Sequence, residues 1–145
     1  MKLTSFTDFG LRALILLAEQ EQGVLSSAAI ADRLSVSRHH IAKILQELTA
    51  AGFIRSVRGS HGGVALARPA AEIGLGGVIR RLEADQPMVE CFREDGGACL
   101  LLPACRLRGI FAGAQEAFYR ELDGFTLADC LSPGLRRILS GLAAA

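Results

Sequence analysis

Along the first half of the chain, apolar residues recur at helical spacing. Over residues 5 to 21, Phe6, Phe9, Gly10, Ala13, Leu14 and Leu17 share one stripe, which predicts an amphipathic helix ended by Gly23. Ser5, with Asp8 three residues on, fits a capping box at its start. The stretch "LSSAAIADRLSVSRHHIAKILQELTAAGFI" (25 to 54) predicts two short helices across a tight turn. Ser26 or Ser27 caps the first, and Ile30 and Leu34 point inward. Ser37 is a good N-cap for the second. There Ile41, Ile44, Leu45 and Leu48 fall at i, i+3, i+4 and i+7 and form the buried stripe. Arg38, His39, His40, Lys43 and Gln46 are left on the outward face, and Gly52 stops the helix. Residues 53 to 69 then read as two short strands around "GSHGG", whose glycines suit a hairpin turn.

The second half is patterned differently. "IGLGGVIRRLEA" predicts a short helix, weakened by its glycines. A cysteine-bearing loop follows. Pro103 opens a helix that runs to about Leu122 and stops near Gly124, with Leu107, Ile110, Phe111, Ala114, Phe118 and Leu122 as its apolar stripe. Gly109 and Gly113 allow another helix to come close, which makes this element a natural dimer seam. "LSPGLRRILSGL" predicts a final short helix. The expected fold is mainly α with a small β-hairpin wing: a winged helix–turn–helix plus a long dimerisation helix. The expected units are a DNA-binding domain over 1–80, a loop for a metal cluster over 81–105, and dimerisation and C-terminal helices over 106–145.

Composition narrows the class. With 145 residues, half of them hydrophobic, the chain can bury one core. The chain has no uncharged apolar run of membrane-spanning length, and the N-terminus lacks a signal peptide's apolar segment. The expected location is cytoplasmic, where thiols stay reduced. Net charge is only +1, but its distribution is uneven. Between Ser37 and Arg68 the basic residues are Arg38, Lys43, Arg55, Arg58 and Arg68, against the single acid Glu47. A local basic stretch on a near-neutral chain points to a phosphate-bearing partner. Ser37, Arg38, His39, His40 and Lys43 occupy the start of the second helix, the part that enters a major groove. Arg58 and His61 sit at the hairpin tip, where a wing touches the neighbouring groove or phosphates. No nucleophile triad, phosphate loop or paired-carboxylate pattern is present, which argues against an enzyme.

"CFREDGGACLLLPAC" (91 to 105) holds three of the four cysteines, Cys91, Cys99 and Cys105. A structural zinc site favours a closely spaced cysteine pair and four ligands, and this loop has no such pair. A disulfide would leave one of the three unpaired, although Gly96 and Gly97 give the loop freedom to close. Iron–sulfur ligation tolerates irregular spacing and fits best. Cys105 falls at the start of the Pro103 helix, where the helix dipole favours thiolate, and Arg106 and Arg108 add positive charge. Cys130, in "LADCL", reads as an apolar-packed cysteine.

These motifs also carry a resemblance. "LTSFTDFGLRALILLA", the recognition-helix and wing segment with "VRGSHGG", "VIRRLE", the loop ending "PACRL" and "FYRELDGFTLADCL" follow one another as in the iron–sulfur winged-helix regulators. Over nearly its whole length the chain resembles this family, and within it the nitric-oxide-sensing branch more than the cluster-assembly branch. The resemblance implies a homodimeric repressor of double-stranded operator DNA, with Cys91, Cys99 and Cys105 holding a cluster. It further implies a 4Fe–4S cluster whose fourth ligand is Asp8 of the partner subunit, and release of DNA when nitric oxide attacks that cluster. A 2Fe–2S cluster in an iron-responsive regulator and a direct thiol switch are the alternatives. For Asp8, ligation and the capping box with Ser5 are both open.

Overall fold

The computed structural model describes residues 2–20, 23–59 and 62–143. Its elements follow in the order α1 (Ser5–Ala18), α2 (Ser27–Leu34), α3 (Arg38–Ala50), β1 (Ile54–Val57), β2 (Gly63–Leu66), α4 (Leu75–Leu82), α5 (Arg106–Asp123) and α6 (Pro133–Ala143). Short 3-10 turns join several of them, including Leu102–Ala104 and Leu127–Cys130. This is the expected mainly helical winged helix–turn–helix.

The α3 stripe is buried as its spacing predicts: Ile41, Ile44 and Leu48 are fully enclosed and Leu45 nearly so. Ser37 caps the helix, its hydroxyl accepting from the His40 amide at 3.2 Å. Ser26 caps α2 in the same way through the Ala29 amide. Between them Ser35 takes a left-handed conformation, φ 53° and ψ 44°, and the Val36 amide donates back to Ala31. That turn sets α2 against α3. β1 and β2 pair antiparallel, with Ile54 opposite Leu66 and Val57 opposite Gly63. Reciprocal bonds between Leu25 and Val64 fasten the wing to the segment before α2.

Three local expectations are corrected. The capping box at the start of α1 is absent: Thr4, not Ser5, is the N-cap, and its hydroxyl accepts from the Thr7 amide at 3.2 Å. Asp8 lies one helical turn further along and pairs with Arg12 instead. The same helix ends at Ala18, and Gly23, with φ +66°, belongs to the turn beyond it. Pro103 sits in a 3-10 turn, and α5 begins at Arg106 with Cys105 as its N-cap, because the Cys105 backbone is extended (ψ 108°).

The core joins α1, α2, α3 and α4 with Leu127, which comes from beyond α5 and is fully buried. Helices α1 and α4 meet at Gly10, where a Cβ would lie 2.6 Å from Leu82 Cδ1. Where Gly76 of α4 faces α5, no Cβ fits against the Asp123 carboxylate. Glycine at both positions lets the helices approach closely. Helix α5 itself has no buried residue. Among the described residues no helix is long and apolar enough to cross a membrane.

Candidate nucleic-acid interface and cysteine loop

The start of α3 presents Ser37, Arg38, His39 and Lys43 as exposed side chains on one end of the helix–turn–helix. Burying Ile41, Ile44, Leu45 and Leu48 leaves those positions outside, so the same periodicity builds the core and the exposed polar face. His40 departs from this group. It is half-buried, and its ring packs edge-on against Phe6 at 5.9 Å and Phe9 at 6.0 Å. It therefore joins α3 to α1 and does not share the open face. On the wing, Arg55 and Arg58 are exposed, and Arg68 lies 5.4 Å from the Phe53 ring centre. His61 lies outside the described residues.

The three loop cysteines are all free and half-buried. Cys91 follows Glu90 in a single 3-10 turn, and the Arg108 guanidinium of α5 donates to its carbonyl at 3.3 Å. Cys99 precedes the exposed Leu100 and Leu101, and its carbonyl accepts from the Leu102 amide. Cys105 caps α5 with no side-chain hydrogen bond. The N-cap side chain thus leaves the first amides of that helix uncapped, beside a thiol. An open cavity of about 590 Å³ adjoins it, lined by Phe92, Leu102, Cys105, Arg106 and Arg108 among others.

Asp8 stands apart from these thiols. Its carboxylate takes two contacts from Arg12, at 3.1 and 2.8 Å, on the surface of α1. Among the described residues no three His, Cys, Asp or Glu side chains gather as ligands of a single metal ion. A polynuclear cluster asks for something else, thiolates shared out over several irons around a common volume. Three free thiols on one loop, with Arg106, Arg108 and a helix N-terminus beside Cys105, suit an anionic cluster by donor chemistry and charge. Cys130, by contrast, lies in the Leu127–Cys130 turn, where burial and the neighbouring Asp129 push its thiol pKa up. A raised thiol pKa disfavours the thiolate that attacks or ligates.

Sequence reasoning missed the charged end of α4. Arg80 forks onto Asp123 of α5 at 2.6 and 2.7 Å and lies 4.9 Å from the Tyr119 ring centre. Arg81 pairs with Glu47 of α3. Glu83 Oε1 accepts from both the Thr4 amide and the Thr4 hydroxyl at 2.8 Å. Within four residues α4 is tied to α5, α3 and the start of α1, just before the cysteine loop begins. The run "RRLE" signals only surface charge, and nothing in its spacing names the partners.

A family model described as the Rrf2 iron-dependent transcriptional regulators matches residues 3–133. The HTH-type transcriptional regulator NsrR of Geobacillus kaustophilus is 45% identical over 132 residues, which span 90% of each chain. Among solved structures, T. potens IscR superposes with a TM-score of 0.70 at 27% identity, covering 90% of this chain and 85% of that one. CymR, the global cysteine regulator of B. subtilis, gives 0.68 at 27% identity over 90% and 95%. The exposed face of α3, the wing and a family match over residues 3–133 converge: this chain belongs to the Rrf2 family of transcriptional regulators, whose members are regulators and not enzymes.

Proposed function

We propose that the chain is a cytoplasmic, homodimeric repressor that binds operator DNA and carries an iron–sulfur cluster, 4Fe–4S in type, as its nitric-oxide sensor. The observation that carries this reading is the set of three free thiols on one loop, the last of them at the N-terminus of α5, in a chain 45% identical to an NsrR. Cys91, Cys99 and Cys105 would supply three ligands, and Asp8 of the partner subunit the fourth. The absence of the capping box supports Asp8, because among the described residues its carboxylate is held in a surface pair with Arg12 rather than in a helix cap. A bound cluster supplies iron open to nitric oxide, most readily at the carboxylate ligand. Arg106, Arg108 and the helix end balance the negative charge of thiolates.

DNA contact falls to Ser37, Arg38, His39 and Lys43 in the major groove and to Arg58 on the wing; His61, the other wing residue expected from the sequence, lies outside the described residues. His40 supports this face from behind, through Phe6 and Phe9. The apolar stripe of α5 supports a dimer: Ile110 is 64% exposed and Leu107 52%. A two-fold pair of recognition helices is the usual way such a fold reads a duplex. Release follows when the two recognition helices lose their spacing, and a differential affinity of a few kcal/mol suffices for that.

Anaerobic purification with iron and sulfide counts tests the cofactor, and operator binding during a nitric-oxide titration tests the switch. Iron and sulfide near four per chain, with affinity falling as nitric oxide is added, is the expected result. Colourless protein with stoichiometric zinc, or affinity indifferent to nitric oxide, overturns it. Likeness to T. potens IscR keeps an iron-responsive 2Fe–2S regulator as a second reading. An Asp8→Ala variant with unchanged cluster type and nitric-oxide response would show that Asp8 is not a ligand.

A further inference from the structure

We infer that Glu90 and Gly97 form a clasp that sets Cys91 and Cys99 side by side before any iron arrives, which makes Glu90 a positioning residue for the cluster. The role at the cluster rests on the reading above; the clasp itself does not.

The Glu90 carboxylate crosses the loop and accepts from the Ala98 amide at 3.2 Å. Glu90 immediately precedes Cys91, and Ala98 immediately precedes Cys99. One hydrogen bond thus joins the residues next to the two thiols across an eight-residue separation. The chain between them is closed by successive turns. The Arg93 amide donates to the Glu90 carbonyl at 3.1 Å, and the Gly96 amide to the Arg93 carbonyl at 2.9 Å. Asp95 accepts from the Gly97 amide at 2.9 Å while Arg93 grips its carboxylate. Arg93 and the Gly97 amide hold that carboxyl below the usual carboxylate range.

Gly97 is where the clasp shuts. Its φ is +62°, and a Cβ there would lie 2.5 Å from Glu90 Cγ and 2.9 Å from the Glu90 carbonyl oxygen. Only glycine both takes that conformation without cost and admits the Glu90 backbone. The Gly-Gly pair therefore serves closure at one defined contact, and general looseness is not what it supplies. From the outside, Arg108 holds the Cys91 carbonyl, so the clasped turn is also anchored to α5. A ligand set ordered in advance loses less entropy on binding than a slack one.

The test uses cluster-free, full-length protein and dibromobimane, which bridges two nearby thiols, with peptide mapping to identify the pair. Wild type should bridge Cys91 to Cys99. Glu90→Ala and Gly97→Ala should each slow that bridging about fivefold, the shift one ordinary hydrogen bond supports. Glu90→Gln keeps an acceptor oxygen and should restore the wild-type rate. Equal rates in all four proteins overturn the clasp. In reconstituted protein, Glu90→Ala should release iron to a chelator several-fold faster than Glu90→Gln, and equal release overturns its role at the cluster. Failure of wild type to take up iron at all refutes the cluster reading, and the bridging rates still decide the clasp.

Discussion

The α3 stripe and the α5 stripe have the same helical spacing and opposite fates. Ile41, Ile44 and Leu48 are wholly enclosed, whereas Leu107 and Ile110 lie more than half exposed within one chain. The helix–turn–helix unit completes its own core; the long helix meets α4 along one side, and its apolar stripe is only partly covered among the described residues, with Phe111, Phe118 and Leu122 half-buried. Periodicity states which face of a helix is apolar. It does not state whether the covering surface belongs to the same molecule.

The sharpest way to break the contrast is to truncate one residue of each stripe. Ile44→Ala should cost about 2–5 kcal/mol in urea unfolding, as a large-to-small change in a closed core does. Ile110→Ala should leave monomer unfolding nearly unchanged and weaken self-association in sedimentation. Equal losses of unfolding stability would show that α5 is packed within its own chain after all. Gly10→Ala comes next. Its methyl would meet Leu82 where α1 and α4 touch, so overpacking should cost about 1–3 kcal/mol in thermal unfolding.

Smaller effects refine the picture of the reading face. Ser37→Ala removes the cap of α3 and should cost about 1 kcal/mol in denaturant unfolding. Arg58→Ala should leave stability untouched, weaken DNA binding at all sequences alike and flatten its salt dependence in gel shifts. The smallest is a pH effect on the α4–α5 contact. Arg80 holds the Asp123 carboxyl below the usual carboxylate range. Its contribution is present above the unfolded-state pKa and is lost as pH falls through the lower folded value. Asp123→Asn should flatten that acid limb of stability, read as urea midpoint against pH.

Local rules made the reading half legible. Caps at Ser26 and Ser37, the α3 stripe and the paired strands around the glycine-rich tip all depend on neighbours within a few residues. The misreadings came where distant partners decide. Ser5 and Asp8 have the spacing of a capping box, but Thr4 takes the N-cap, with Glu83 accepting its hydroxyl proton from 79 residues away. Thr7 reads as polar, yet it is fully buried, with its hydroxyl paired to the Thr4 oxygen at 3.1 Å. His40 reads as part of the exposed face until the Phe6 and Phe9 rings are in place. In the cysteine loop the ligand types were legible, but the Glu90 crossing was not, since it depends on how the loop closes.

The end of α4 sets a further limit on change. Successive residues of an α-helix point about 100° apart, so Arg80 and Arg81 necessarily address different neighbours, α5 and α3. Deleting or inserting one residue in this helix would rotate every contact beyond it by that angle. Arg80 would leave Asp123, Arg81 would leave Glu47, and Glu83 would leave Thr4, all at once. Gly76 would also be replaced at its close approach to Asp123 by a residue with a side chain or by a shifted glycine. Point substitutions in α4 remove one tie each, but its length admits no increment.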